Sequence, residues 1–299
     1  MPGRIVEIAE DGRHLELYRG FLQVKAGGEL LGRVPLDDII GVIANARALT
    51  YSNNILVALA ERGVPFVLCA SNFKPVGMVW PVESHHLQAA RMDAQLAATL
   101  PLKKRLWRDI VRSKLLWQGW CLQQRGRPHV PLTALVARVR SGDTGNVEAQ
   151  GARRYWPLLL GKGFVRDRDL PDVNALLNYG YAVLRACVGR AVIAAGLHPG
   201  IPIHHSNQFN AQRLCDDLME PFRPVVDLTV ATLHEAGVVE VDPASKAELV
   251  RVLSRDLPFG QVKSPLDQCA QRLASSLAAV YLGEREELEL PTPDWAPPA

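Results

Sequence analysis

Apolar and polar positions along the chain follow two different periods. In the first ~80 residues the apolar runs are short and partly alternating, which predicts strands. They are Ile5-Val6-Glu7-Ile8, His14-Leu15-Glu16-Leu17-Tyr18 and Phe21-Leu22-Gln23-Val24, separated by Gly and charged turns. Residues 39–43 add an apolar strand. Ser52 or Asn53 then caps a helix whose apolar face is Ile55, Leu56, Leu59 and Ala60. Gly63 ends that helix, and residues 64–69 form a further buried strand. A strand-helix-strand element after several antiparallel strands predicts a small mixed sheet.

From Ser84 onward the period changes to about 3.6. Leu102, Leu106, Trp107, Ile110, Val111, Leu115, Trp117 and Trp120 recur at helical spacing. Further helices are predicted at 132–139, 146–160, 172–195, 211–233, 246–254 and 265–282. The final PTPDWAPPA is proline-rich and reads as an extended or disordered tail. No internal repeat is visible. The expected fold class is α+β: a small β-rich N-terminal domain over 1–84, a larger all-helical domain over 85–285, and a proline-rich tail over 286–299.

With 299 residues, 48% of them hydrophobic and 22% charged, the composition is that of a folded chain, not a disordered or collagen-like one. No run approaches the roughly 18 apolar residues of a membrane span. Charges fall where a signal peptide would carry its apolar core, in MPGRIVEIAEDGRHLEL, so the expected location is cytoplasmic, with no membrane contact. Cys69, Cys121, Cys187, Cys215 and Cys269 are widely spaced, odd in number and without a CxxC pair, and read as reduced buried thiols.

Three segments carry candidate chemistry. Glu148, in GNVEAQGARRYW, lies near a helix start with Ala149 and Gly151 leaving space around it. A helix N-terminal glutamate favoured by the dipole is the ordinary alternative. His204 and His205, in HHSNQFN, follow Pro199, Gly200 and Pro202, which force the chain out of helix. Adjacent histidines place only one imidazole easily into a given site, and a polar loop with a hydrogen-bonded His is the plainer reading. In CDDLMEPFRP, Asp217 and Glu220 share a helix face, as do Asp216 and Glu220, while Pro221 should kink the helix there. Like charges at that spacing are unfavourable unless a cation lies between them, although a solvated acidic face remains open.

One His and two Glu from separate segments make a mixed nitrogen and oxygen donor set, suited to Mg²⁺ or Mn²⁺. GxxxxGK[ST], GxGxxG and GxSxG are absent, so nucleotide-cofactor and acyl-transfer chemistry have little support. The net charge is only +3, but it is unevenly spread. Lys103, Lys104, Arg105, Arg108, Arg112, Lys114, Arg125 and Arg127 fall within 101–129 against the single acid Asp109. Arg153 and Arg154 follow Glu148, Arg223 follows Glu220, and Glu284, Glu286, Glu287, Glu289 and Asp294 gather near the C-terminus. A basic face beside a metal site suits a phosphodiester substrate, whereas an ordinary solvated helix face is the alternative.

These motifs resemble those of the CRISPR-associated integrase-endonuclease of spacer acquisition, the metal-dependent member of the adaptation pair, over nearly the whole chain to about residue 282. VPLDDIIGVIANARALTYSNNILVALAERGVPFVLC is similar to the family's β-domain. NVEAQGARRYW, DVNALLNYGYAVLRACVGRAVIAAGL and IHHSNQFNAQRLCDDLMEPFRPVVD fall in the family's order and spacing, the last most like its type II branch. The resemblance implies a catalytic metal site of Glu148, His205 and Glu220 holding Mg²⁺ or Mn²⁺. His204 is the neighbouring candidate, and Asp217 is a second acid that binds or orients the metal. Pro202 departs from the glycine usual there. Lys104, Arg105, Arg108, Arg112, Arg153, Arg154 and Arg223 are the candidate DNA contacts.

The activity so implied is spacer insertion into a CRISPR array, in which the 3′-OH of a short double-stranded DNA attacks a repeat phosphodiester. Nuclease activity follows where water replaces the 3′-OH. The resemblance also implies a homodimer with dimerisation and partner contacts in the N-terminal domain and a small ferredoxin-like adaptation partner in a heterohexamer, and it leaves open whether other type II factors join. The competing readings are a non-catalytic helical DNA-binding module with a structural acidic cluster, and a metallohydrolase of small phosphoesters, against which the basic 103–114 stretch argues.

Overall fold

The computed structural model describes residues 4–70 and 75–294. The chain forms two compact units, residues 1–86 and 87–299. In the first, β1 (Arg4–Ile8), β2 (Arg13–Tyr18), β3 (Phe21–Ala26), β4 (Glu29–Pro35), β5 (Ile39–Ala44) and β6 (Leu49–Tyr51) precede α1 (Asn53–Glu61), β7 (Phe66–Cys69) and β8 (Pro75–Val79). Instead of one mixed sheet there are two four-stranded sheets, ordered β4-β3-β2-β6 and β1-β5-β7-β8. β5 lies between two parallel neighbours and all six of its residues are buried, which is why it reads as an unbroken apolar run. β2 and β3 pair Tyr18 with Phe21 across Arg19-Gly20, both at positive φ, as a two-residue hairpin turn requires. β4 escapes the apolar pattern because its residues are mostly exposed; the hairpin at Gly27-Gly28 sets it. Leu15, Leu22, Val42 and Ile55 are wholly buried at the centre of this unit.

The second unit contains α2 (Gln88–Ala97), α3 (Leu100–Gln124), α4 (Val130–Thr133), α5 (Val147–Leu160), α6 (Val173–Ala194), α7 (Arg213–Met219), α8 (Arg223–Glu235), α9 (Pro243–Arg251), β9 (Asp256–Phe259), β10 (Val262–Pro265) and α10 (Leu266–Tyr281). α3 starts where Thr99 accepts a hydrogen bond from the Leu102 amide, with Pro101 in its first turn. Leu106, Trp107, Ile110, Val111, Leu115 and Trp117 bury its inner face, so the 3.6-residue pattern marks a central helix. It packs against α5 and α8.

Three expectations are corrected here. The second unit is not all-helical: β9 and β10 form an antiparallel hairpin turning at Gly260. Pro258 and Pro265 disfavour helix, and Leu257 and Phe259 are buried alternately as a strand requires. The single helix expected over 211–233 is divided by a 3₁₀ turn, Glu220–Phe222, at the kink placed on Pro221. The helix expected over 132–139 is reduced to α4 and a 3₁₀ turn, Val136–Arg138. Residues 291–294 of the expected tail have no regular secondary structure, yet Pro291 is buried, and its carbonyl accepts hydrogen bonds from Ser113 Oγ (3.1 Å) and Trp117 Nε1 (2.9 Å). Residues 295–299 lie outside the described ones. All five cysteines are unpaired and four are buried. Among the described residues no helix is long and apolar enough to cross a membrane.

Candidate functional site

Glu148 owes its position to a turn in front of α5. Asp143 and Asn146 both adopt positive φ, and the Asp143 carboxylate accepts the amides of Val147 (2.9 Å) and Glu148 (3.0 Å). Those two amides would otherwise lack partners at the helix start. One turn later, Gly151 meets α3 so closely that a Cβ there would lie 2.4 Å from Leu115 Cδ2. The space that Gly151 leaves is therefore filled by α3. The neighbour of Leu115, Lys114, is thereby brought to Glu148, with Nζ 2.5 Å from Oε1.

The histidine loop is held by Asp217. This carboxylate is fully buried in α7 and accepts the amides of Ile203 (2.7 Å), His204 (3.1 Å) and His205 (3.1 Å). It also lies 2.7 Å from His205 Nδ1. That hydrogen bond raises the pKa of His205 above the ordinary imidazole value, against the opposing effect of burial. With Nδ1 on Asp217, Nε2 is the ring nitrogen left to a ligand, the arrangement common to metal-bound histidines. His204 turns elsewhere: its ring stacks on Trp107 at 4.2 Å and 5°.

Glu220 sits on the 3₁₀ turn that Pro221 imposes, only 4% exposed. Arg223 Nε donates to its Oε1 at 2.8 Å, and Lys114 Nζ lies 2.5 Å from its Oε2. Burial alone would raise this carboxyl, but Arg223 and Lys114 outweigh it and hold the pKa at about 2. Arg223 is itself placed by Tyr181, whose ring centroid is 4.6 Å from the guanidinium.

The structure thus gathers Glu148 and Glu220 on one ammonium, and His205 on Asp217. Among the described residues, no three His, Cys, Asp or Glu side chains stand arranged as a metal cage, and Lys114 occupies the position between the two glutamates. The donor chemistry nonetheless fits a divalent cation. Glu220 Oε2 is buried and is faced by the Lys114 ammonium at 2.5 Å, so a cation already stands at that oxygen. A buried carboxylate oxygen in that condition is suited to a cation. Lys114, Asp143 and Trp107 carry parts of the site that spacing along the chain does not single out, because their partners lie on other elements.

The candidate DNA contacts divide by environment. Lys104, Arg105, Arg153 and Arg154 are exposed, Arg105 donating to the Glu286 carbonyl and Arg154 to that of Pro131. Arg108 pairs with Asp109 at 2.8 Å, and Arg112 donates to the Val139 carbonyl at 3.0 Å. Arg223 is committed to Glu220.

A β-rich unit followed by a helical one is an architecture with counterparts among solved structures. The fold matches a casposase bound to integration product with a TM-score of 0.79 at 20% identity, over 96% of this chain and 92% of that one. It also matches a chain of a Cas6-RT-Cas1–Cas2 complex with a TM-score of 0.73 at 19% identity, over 97% of this chain and 36% of that one. In sequence, the chain is 37% identical to the CRISPR-associated endonuclease Cas1 of Neisseria meningitidis over 289 residues, 95% of this chain and 94% of the relative. Residues 6–255 match the family described as CRISPR associated protein Cas1. The chain belongs to that family.

Proposed function

We propose that Glu148, His205 and Glu220 form the metal-dependent centre with which this chain, an endonuclease and integrase of CRISPR spacer acquisition, inserts DNA into a repeat. Its relatives are named endonucleases, so the non-catalytic DNA-binding module is set aside. The observation that carries the reading is the convergence of Glu148 and Glu220, 72 residues apart (220 − 148), on a single buried cation.

The reaction is a transesterification in which a DNA 3′-OH attacks a repeat phosphodiester and a repeat 3′-OH departs. Bound Mg²⁺ or Mn²⁺ would polarise the phosphoryl oxygen and stabilise charge on the entering or leaving oxygen. The protein contributes placement. Glu148 and Glu220 supply oxygen ligands, and His205 supplies Nε2, held in orientation by Asp217. Arg223 balances the charge of Glu220, which keeps that carboxylate ionised in a buried position. Exposed Lys104, Arg105, Arg153 and Arg154 meet backbone phosphates and set the DNA register. Bond energies change little in such an exchange, so the rate rests on positioning and electrostatics.

Assembly follows the same reading: a homodimer, joined by a small ferredoxin-like adaptation partner in a heterohexamer around the captured DNA. The fold neighbour named as a complex of Cas1 with Cas2 supports such a partner. Strand transfer into a supercoiled repeat plasmid should stop in EDTA and resume with Mg²⁺ or Mn²⁺. Transfer that continues in EDTA would contradict the metal-dependent reading.

A further inference from the structure

Lys114 is the charged group in this site to which the reaction assigns no part. Its side chain is 12% exposed, and its Nζ stands 2.5 Å from Glu148 Oε1 and 2.5 Å from Glu220 Oε2. Burying an ammonium is costly unless opposite charges compensate it. Here Glu148 and Glu220, both in contact with the ammonium, supply that compensation. With Arg223 the local sum is two carboxylates against two cations. The glutamate pair is charge-balanced without any metal.

A divalent cation binding the same two oxygens would sit about 2.0–2.2 Å from each. An ammonium 2.5 Å from those oxygens occupies the same volume and carries like charge, so the two cannot share the position. The lysine stem is flexible, whereas α3, which carries it, is packed on α5 where Leu115 meets Gly151. Relocation therefore falls to the side chain.

We propose that Lys114 is the resident cation of the Glu148–Glu220 pair, holding the two carboxylates together in the metal-free protein and leaving the position between them when a divalent metal enters. This rests on the reading of those glutamates as metal ligands. Lys114 is then a positioning residue that keeps the ligands gathered before loading, and a competitor that weakens metal affinity. Lys114→Met retains the apolar stem and removes both effects. Lys114→Arg keeps the charge.

The test is Mn²⁺ titration of the full chain without DNA, by calorimetry, on the wild type, Lys114→Met, Lys114→Arg and Glu220→Gln, with thermal melts in EDTA and in saturating Mn²⁺. Lys114→Met should bind Mn²⁺ at least tenfold more tightly than the wild type. It should also melt lower in EDTA, with the difference narrowing in Mn²⁺. Lys114→Arg should recover the EDTA melting temperature without the gain in affinity. Equal or weaker Mn²⁺ binding by Lys114→Met, with Glu220-dependent binding in the wild type, overturns the proposal and leaves the metal reading standing. Absence of binding in both proteins, or binding unaffected by Glu220→Gln, overturns the metal reading and the proposal with it. Should Lys114→Met fail to fold, acylation of wild-type Lys114 mapped by mass spectrometry decides: Mn²⁺ should raise its modification several-fold over EDTA, and no change overturns displacement.

Discussion

Asp227 is a buried carboxyl to which the proposed metal site assigns no role, accepting hydrogen bonds from Tyr155 (3.1 Å) and Tyr181 (2.5 Å) inside the helical unit. Burial raises its pKa from 3.8 to about 7, an effect its two tyrosines only partly offset. Native Asp227 thus keeps its proton up to about pH 7, while the unfolded chain releases it near pH 4. Between those values the native state binds more protons, so this residue makes stability fall as pH rises, by about 4 kcal/mol across the window at roughly 1.4 kcal/mol per pKa unit. Asp227→Asn should flatten that part of the urea-derived stability profile between pH 4 and 7. An unchanged slope would show that the carboxyl is ionised throughout. At the same scale, the histidine pair and the Asp217–Glu220 face stand out in the sequence as local clusters, while Glu148 is singled out by the family resemblance. Lys114 is not, since it looks like one more cation in a basic run. Only folding sets it beside acids 34 and 106 residues further along (148 − 114 and 220 − 114).

The elements show the same division between local and non-local information. α3, α5, α6 and α10 are announced by the period of their buried apolar positions, and α3 and α6 also by the caps Thr99 and Asp172. The Pro221 break is readable too, since proline acts on its own preceding turn. β4 and the β9–β10 hairpin are not: β4 is mostly exposed, and the hairpin is short and interrupted by proline. Helix approach is another non-local property. Gly151 looks like a weak point in α5 until its packing on Leu115 is seen. Gly151→Ala should push α5 from α3 and lower stability by roughly 1–3 kcal/mol, the usual cost of overpacking. Chemical denaturation measures this, and a stability within error of wild type would mean that the helix pair relaxes freely.

For the whole molecule, the net charge of +3 is a sum of unlike parts. Lys114, Arg223 and Arg185 spend their charge on Glu148, Glu220 and Asp216, while Lys104 and Arg153 face solvent. On the proposed reading only the exposed set should govern the salt dependence of DNA binding. Replacing Lys104 and Arg153 together by alanine should weaken binding and make the log–log salt slope shallower by about 2, near 0.9 for each phosphate no longer neutralised. Arg112→Ala should leave that slope unchanged; equal slopes in all three proteins would place the DNA elsewhere. The central claim is that Glu148, His205 and Glu220 act as one metal-holding unit. The most direct measurement is strand transfer into a supercoiled repeat plasmid by alanine variants at Glu148, His204, His205 and Glu220, scored beside DNA affinity. Glu148→Ala, His205→Ala and Glu220→Ala should abolish transfer with DNA affinity largely intact, while His204→Ala should retain it. Strand transfer surviving in Glu220→Ala would contradict the central claim.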